Sequence, residues 1–198
     1  MDFPWLPFLV FAVVASVTPG PNNVMVAASA ASHGVRAVLP QVLGTSGGFG
    51  AMIVIVGLGL AMPLAAFPQA AMAVRWLGAA WLLMLGWKIA TAPPPGTVGS
   101  RPPLGFFGGA LFQWINPKAW MLALGVATTW TVPGRPVAPQ IVLMALIFAA
   151  VSLPNGLLWA TLGDQVGRLL HSPARARAFN VTMAILLVAS MLPVLLWD

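Results

Sequence analysis

Thr18-Pro19-Gly20-Pro21-Asn22-Asn23 sits inside an apolar run that extends from about residue 4 to about residue 32. A run of that length crosses a bilayer as a helix, because roughly 20 apolar residues span its hydrocarbon core. Two prolines and a glycine cannot simply continue that helix, since proline lacks the N–H and pushes the residue before it out of the helical region. Backbone freed at membrane depth is tolerated only where protein buries it or it lines a wet cavity. A second stretch, Asn116-Pro117-Lys118, interrupts another apolar run in the same way. Such interruptions in corresponding positions of two halves point to a transporter's midplane binding site.

Composition agrees. The 198 residues are 60% hydrophobic and 6% charged, with a mean hydropathy of +0.93. Soluble domains run at about 25% charged, so lipid must cover most of this surface. Cysteine is absent, which excludes disulfides, thiol chemistry and sulfur-ligated metals. The net charge of +6 does not indicate nucleic acid, because Lys and Arg stand singly or in short clusters between apolar runs, as topology signals do. The N-terminus Met1-Asp2-Phe3-Pro4 lacks the basic start of a cleavable signal peptide.

Six apolar stretches are expected to span, near 4–32, 38–62, 71–91, 105–130, 138–163 and 178–197. Around 51–74 the second span would end early if a short re-entrant turn intervened. The loops after the first, third and fifth spans hold Arg36, Lys88, Arg101, Arg168, Arg175 and Arg177, whereas those after the second and fourth hold only Arg75 and Arg135. Positive-inside then places both termini in the periplasm. Trp5, Trp76, Trp87, Trp130 and Trp197 fall near the predicted interfaces as aromatic anchors.

Pro21-Asn22-Asn23-Val24-Met25-Val26-Ala27 aligns with Pro117-Lys118-Ala119-Trp120-Met121-Leu122-Ala123, about half the chain away. Three spans separate the motifs, so the halves would have opposite topology. The expected fold is therefore an all-α integral membrane protein of six transmembrane helices. They would form two inverted three-helix repeats, with the first and fourth helices broken at the midplane. A single transporter domain would cover 1–198, with repeat one at about 1–92, a linker at about 93–103 and repeat two at about 104–198.

The polar residues at the breaks carry the chemistry. After Pro21 a new half-helix presents its N-terminal N–H groups at membrane depth, and Asn22 and Asn23 add carboxamides. This suits the carboxylate of a small zwitterion; the bland alternative is that the asparagines only cap the half-helix. Lys118 at the centre of a lipid-facing helix would cost roughly 2.5–3.5 kcal/mol. It is therefore expected to face a cavity, a partner or a bound anion, with snorkelling the alternative. Asn116 and Gln113 would supply further hydrogen bonds. A third interruption, Pro154-Asn155-Gly156, reads equally as part of the site or as a proline kink whose freed carbonyl Asn155 satisfies.

Gly44–Gly48 and Gly105–Gly109 have the spacing of close helix packing. Trp114, Trp120 and Trp159 either line the cavity or, more commonly for such residues, fill the core. His33 and His171 read as surface residues without an acid cluster to make a metal site. Asp164 either relays a proton or pairs with Arg168 four residues on.

These motifs resemble the LysE/RhtB family of bacterial amino-acid exporters. The likeness runs through Thr18–Asn23, Ser32-His33-Gly34-Val35-Arg36, Gly44 and Gly48. It continues in Trp76-Leu77-Gly78-Ala79-Ala80-Trp81-Leu82, Gly86-Trp87-Lys88, Asn116-Pro117-Lys118-Ala119, Trp159 with Gly163, and Phe179-Asn180. It covers essentially the whole chain. The resemblance implies a six-helix inner-membrane exporter of amino acids or close derivatives, driven by the proton gradient. Carried over, the substrate-path residues are Pro19, Gly20, Pro21, Asn22, Asn23, Asn116, Pro117 and Lys118, to which the reading of the third interruption adds Asn155. The Ser-His-Gly stretch is similar to members handling cysteine and O-acetylserine. No acid stands at the midplane, which disfavours a carboxylate relay and a strongly cationic substrate, and favours a neutral zwitterion.

No cofactor, metal or catalytic residue is expected. The partners are a small amino acid or derivative and the lipid bilayer, with a homo-oligomer left open and nucleic acid excluded. A membrane enzyme would need a nucleophile, an acid–base pair or a metal set, and this inventory is too poor. A channel would need a continuous polar lining, whereas polar groups here gather at helix breaks. A scaffold without transport would tolerate replacement of Asn22, Asn23 or Lys118.

Overall fold

The computed structural model describes residues 3–60, 68–92, 102–170 and 172–190. Asp2, Arg101, His171, Trp197, Asp198 and most of the expected linker lie outside them, so the readings placed there carry no structural account. Every regular element described is helical. In chain order they are α1 (Trp5–Val17), α2 (Pro21–His33), α3 (Val35–Ile55), α4 (Pro68–Ala90), α5 (Gly105–Phe112), α6 (Pro117–Thr129), α7 (Val137–Leu169) and α8 (Pro173–Ala189). A π turn, Val56–Leu60, extends α3, and a 3-10 turn, Gln113–Ile115, follows α5.

Sequence dictates where the breaks fall. Thr18 and Gly20 each precede a proline, and both are extended, with ψ of 129° and 173°. Pro21 then opens α2 at a position whose N–H no helix uses. The axes of α1 and α2 differ by 48°. Asn116, before Pro117, is extended for the same reason at φ −92°, ψ 106°. Pro154 behaves differently. It stands alone inside α7 and the helix continues through it, so the third interruption is not a break.

Among the described residues, two helices can cross a membrane by length and composition, Val35–Gly59 and Val137–Leu169, and α1 with α2 makes a third if the bent pair is one span. At 33 residues, α7 is about 50 Å long, against a hydrocarbon core of about 30 Å. It outruns the expected 138–163 span, so Asp164 and Arg168 ride on its last turns and not in a loop. Exposed apolar side chains cover α1 (Leu6, Val10, Val14) and α4 (Trp76, Leu77, Trp87), as lipid contact requires. Trp130, at the end of α6, is partly buried and stacks on Phe11, 5.4 Å between centroids, against the apolar core.

α3 packs on α5 and α7, α2 on α7, and α4 on α8. Small residues permit these approaches. A Cβ on Gly44 or Gly48 would strike the backbone of Phe106 or Ala110, and one on Gly163 or Gly167 that of Ala27 or Ala31. Gly105 differs from its expected role: nothing lies near it, and its φ of +65° shows that it serves the chain's turn into α5.

Candidate functional site

The two breaks meet. Gly20, Pro21, Asn22 and Asn23 from the first and Asn116 and Lys118 from the second line one cleft, which Asn155 joins from α7. The cleft offers about 60 Å³ to the centres of water-sized molecules, where one water occupies about 10–15 Å³. A few waters, or the polar end of a small solute, fit that space. Pro19 is exposed. Pro117 is buried beneath the cleft: a Cβ on Gly78 of α4 would sit 2.9 Å from its ring. These two prolines shape the breaks without lining the cleft.

Each carboxamide has a defined task. The N-cap of α2 is Gly20, and no side chain caps that helix, so Asn22 and Asn23 are not its caps. Asn23 Nδ2 donates to the freed carbonyls of Ser16 (2.8 Å) and Thr18 (3.1 Å). Its Oδ1 accepts from Asn155 Nδ2 at 3.0 Å, a link between residues far apart in the chain. Asn155 therefore ties α7 to the first break and does not satisfy a kink in its own helix. Its Oδ1 is buried without a hydrogen-bond partner among the described residues. Asn22 Oδ1 accepts from Thr45 Oγ1 at 3.0 Å, and among the described residues its Nδ2 donates to no protein group.

At the second break, Asn116 Oδ1 accepts from the backbone N–H of Lys118 (3.2 Å), a true N-cap. Gln113 Nε2 donates to the Gly109 carbonyl at 3.1 Å. Trp120 Nε1 donates to the Trp114 carbonyl at 2.8 Å, and both tryptophans pack with the apolar core rather than the cleft. Trp159 likewise packs against two apolar clusters, one shared by α2, α4, α5 and α8 and one by α2, α3 and α7.

Among the described residues that line the cleft, Lys118 is the one charged side chain. Its Nζ donates to the Thr18 carbonyl at 2.9 Å, joining the two breaks directly. It passes so close to Gly20 that a Cβ there would lie 3.0 Å from Cδ and Nζ. Asp164 lies away from the cleft and pairs with Arg168 at 2.8 Å. Among the described residues no group of His, Asp or Glu could hold a metal. Thr45 and Ser152, which also line the cleft, escaped the sequence reading. Thr45 had a signal, since Thr45-Ser46 is a polar pair inside an apolar span; Ser152 had none beyond its place one turn before Asn155.

A cleft lined by a lysine, carboxamides and hydroxyls can hold a polar solute through hydrogen bonds. Comparison with known proteins agrees. The Cysteine/O-acetylserine efflux protein of Escherichia coli (strain K12) is 29% identical over 182 residues, covering 91% of this chain and 92% of the relative. The proteins of the same description from Shigella flexneri and Shigella sonnei (strain Ss046) match to the same extent. No solved structure matches the chain. The apolar helices and these efflux relatives together indicate a bacterial inner-membrane protein. Residues 13–192 match the family described as LysE type translocator, and on that match the chain belongs to the LysE type translocators, transporters rather than enzymes.

Proposed function

We infer that this protein exports a small, neutral, zwitterionic amino acid or amino-acid derivative by alternating access. The observation that carries the reading is the Lys118–Thr18 bridge, a lone cation placed where the two breaks meet. A carboxylate would take Lys118 Nζ in place of the Thr18 carbonyl, exchanging a neutral acceptor for a charged and stronger one. The free N–H groups at the start of α2 and the Asn22 amide would complete that end of the site. The ammonium would take the unpartnered Asn155 Oδ1. A cationic side chain on the solute would meet no acid in the cleft, which favours a neutral one.

Alternating access follows from what the bridge connects. Its two ends lie on different breaks, so displacing it by substrate loosens the halves at the moment of binding. In this reading the breaks open two inverted three-helix repeats, about 1–92 and 104–198, within a six-span domain. Both termini are periplasmic and the proton-motive force drives export. The efflux relatives make cysteine and O-acetylserine the first solutes to try.

The test is counterflow into proteoliposomes loaded with individual unlabelled amino acids and O-acetylserine. Saturable exchange of a small neutral solute, lost in folded Lys118→Ala, is the expected result. Unsaturable flux would replace the carrier with a channel. No flux across the panel from folded protein would overturn the amino-acid reading.

A further inference from the structure

The helices that line the cleft carry further polar atoms one turn away, and the site described above does not use them. Gln41 is 0% exposed, and neither its Nε2 nor its Oε1 has a hydrogen-bond partner among the described residues. Trp159 Nε1 is also buried and, among the described residues, has no hydrogen-bond partner. Gln41 stands one turn from Thr45 on α3, and Trp159 one turn from Asn155 on α7, and both of those neighbours line the cleft. α3 runs away from Gly34, whereas α7 runs toward it, since a Cβ on Gly34 would lie 3.7 Å from Asp164 Oδ1. Both extra groups therefore lie on the Gly34 side of the cleft. The two helices touch at that level: a Cβ on Gly156 would press on Val42 Cγ1 at 2.6 Å. Around them Val26, Ala30, Val38, Val42 and Ala160 close into a buried apolar cluster, with Trp159 packed against it.

A buried amide without partners loses its hydration and regains nothing, and such groups are rare enough to require an explanation. Here two adjoin the cleft on neighbouring helices. They would gain partners if α2 and α7 parted and the apolar cluster opened. We propose that Gln41 and Trp159 line the next station of the solute route, between the cleft and the Gly34 end, and that this structure holds that station shut. Its Nε2–H and Nε1–H donors would receive the carboxylate of a small zwitterion, and Gln41 Oε1 its ammonium. This rests on the transport reading above.

Two measurements test the station. The chain has no cysteine, so Gln41→Cys and Trp159→Cys can be labelled with a membrane-impermeant maleimide in right-side-out and inside-out vesicles. Both should label from the face bearing Arg36 and Arg168 only. Met144→Cys, equally buried but in the apolar cluster around Phe8 and Phe148, should stay unreactive. If Gln41→Cys labels from neither face while Asn22→Cys labels, the station does not exist. The second measurement is Gln41→Leu, which removes the unpaired amide at similar volume. It should raise the melting temperature by about 2–4 °C while slowing counterflow roughly tenfold. A lower melting temperature would mean that Gln41 is a satisfied structural group, and would overturn the proposal. The labelling requires no substrate, so it decides the station even if the solute panel fails. Wild-type counterflow decides the transport reading separately.

Discussion

The two breaks begin from the same chemistry and end in different mechanical states. At the second, Asn116 caps its own half-helix, Gln113 satisfies a carbonyl one turn back, and Trp120 takes the Trp114 carbonyl. Gln113, Asn116 and Pro117 are all buried. At the first, the N-cap is Gly20 and no side chain caps the half-helix, while Val17, Thr18 and Pro19 are exposed. The freed Thr18 carbonyl is held by Asn23 of the next half-helix and by Lys118 of the other break. Asn23 in turn is held by Asn155 of α7. One break is held by groups of its own segment; the other is held by partners from elsewhere in the chain. On the alternating-access reading proposed above, that difference would make the first break the moving part and the second its anchor.

Removing the connection between them should have the largest effect. Lys118→Ala deletes a charged donor, whose hydrogen bonds contribute about 1.5–3 kcal/mol, so apparent affinity in counterflow should fall roughly 100-fold. Folding should survive, since Thr18 keeps the Asn23 contact. Retained affinity in Lys118→Ala would break the comparison at its root, because the bridge would then be structural only.

Asn23→Ala comes next. It leaves the Ser16 carbonyl and Asn155 Nδ2 without their side-chain partner. Stability should fall by about 2 kcal/mol, read by thermal unfolding in detergent, and exchange should slow with it. Asn116→Ala should cost less, about 1 kcal/mol as for a lost cap, and leave exchange within about threefold of wild type. Asn116→Ser should restore the cap. If Asn116→Ala abolished exchange in folded protein while Asn23→Ala did not, the roles of anchor and moving part would be reversed.

Much of this was legible in the sequence, for a reason specific to proline. Pro19, Pro21 and Pro117 restrict the residues before them whatever surrounds them, so the breaks at Thr18, Gly20 and Asn116 could be read one residue at a time. Pro154 shows the limit: a lone proline inside a long helix is decided by packing, and α7 runs through it. The site was legible as a set of residues but not as a set of partners. Asn22, Asn23, Asn116, Lys118 and Asn155 do line one cleft. Yet Asn155 reaches Asn23, and Lys118 reaches Thr18, through tertiary contacts that no local pattern encodes. Thr45 and Gln41 escaped for the same reason: a polar side chain in an apolar span signals its cost but not its purpose.

The smallest effect should come from the opposite kind of polar group. Asp164 pairs with Arg168 in an i, i+4 geometry at 2.8 Å, with the arginine side chain 76% exposed. Such pairs contribute about 0.3–0.5 kcal/mol and are screened by salt. α7 is long enough to carry this pair beyond the hydrocarbon, and it lies outside the cleft, so nothing in the binding of a zwitterion engages it. Asp164→Asn should leave counterflow and its dependence on an imposed pH gradient unchanged. Should that variant instead keep exchange but lose response to the gradient, Asp164 would be the proton-coupling group. Coupling would then act at the end of α7, and the contrast between the breaks would govern solute movement without governing what drives it.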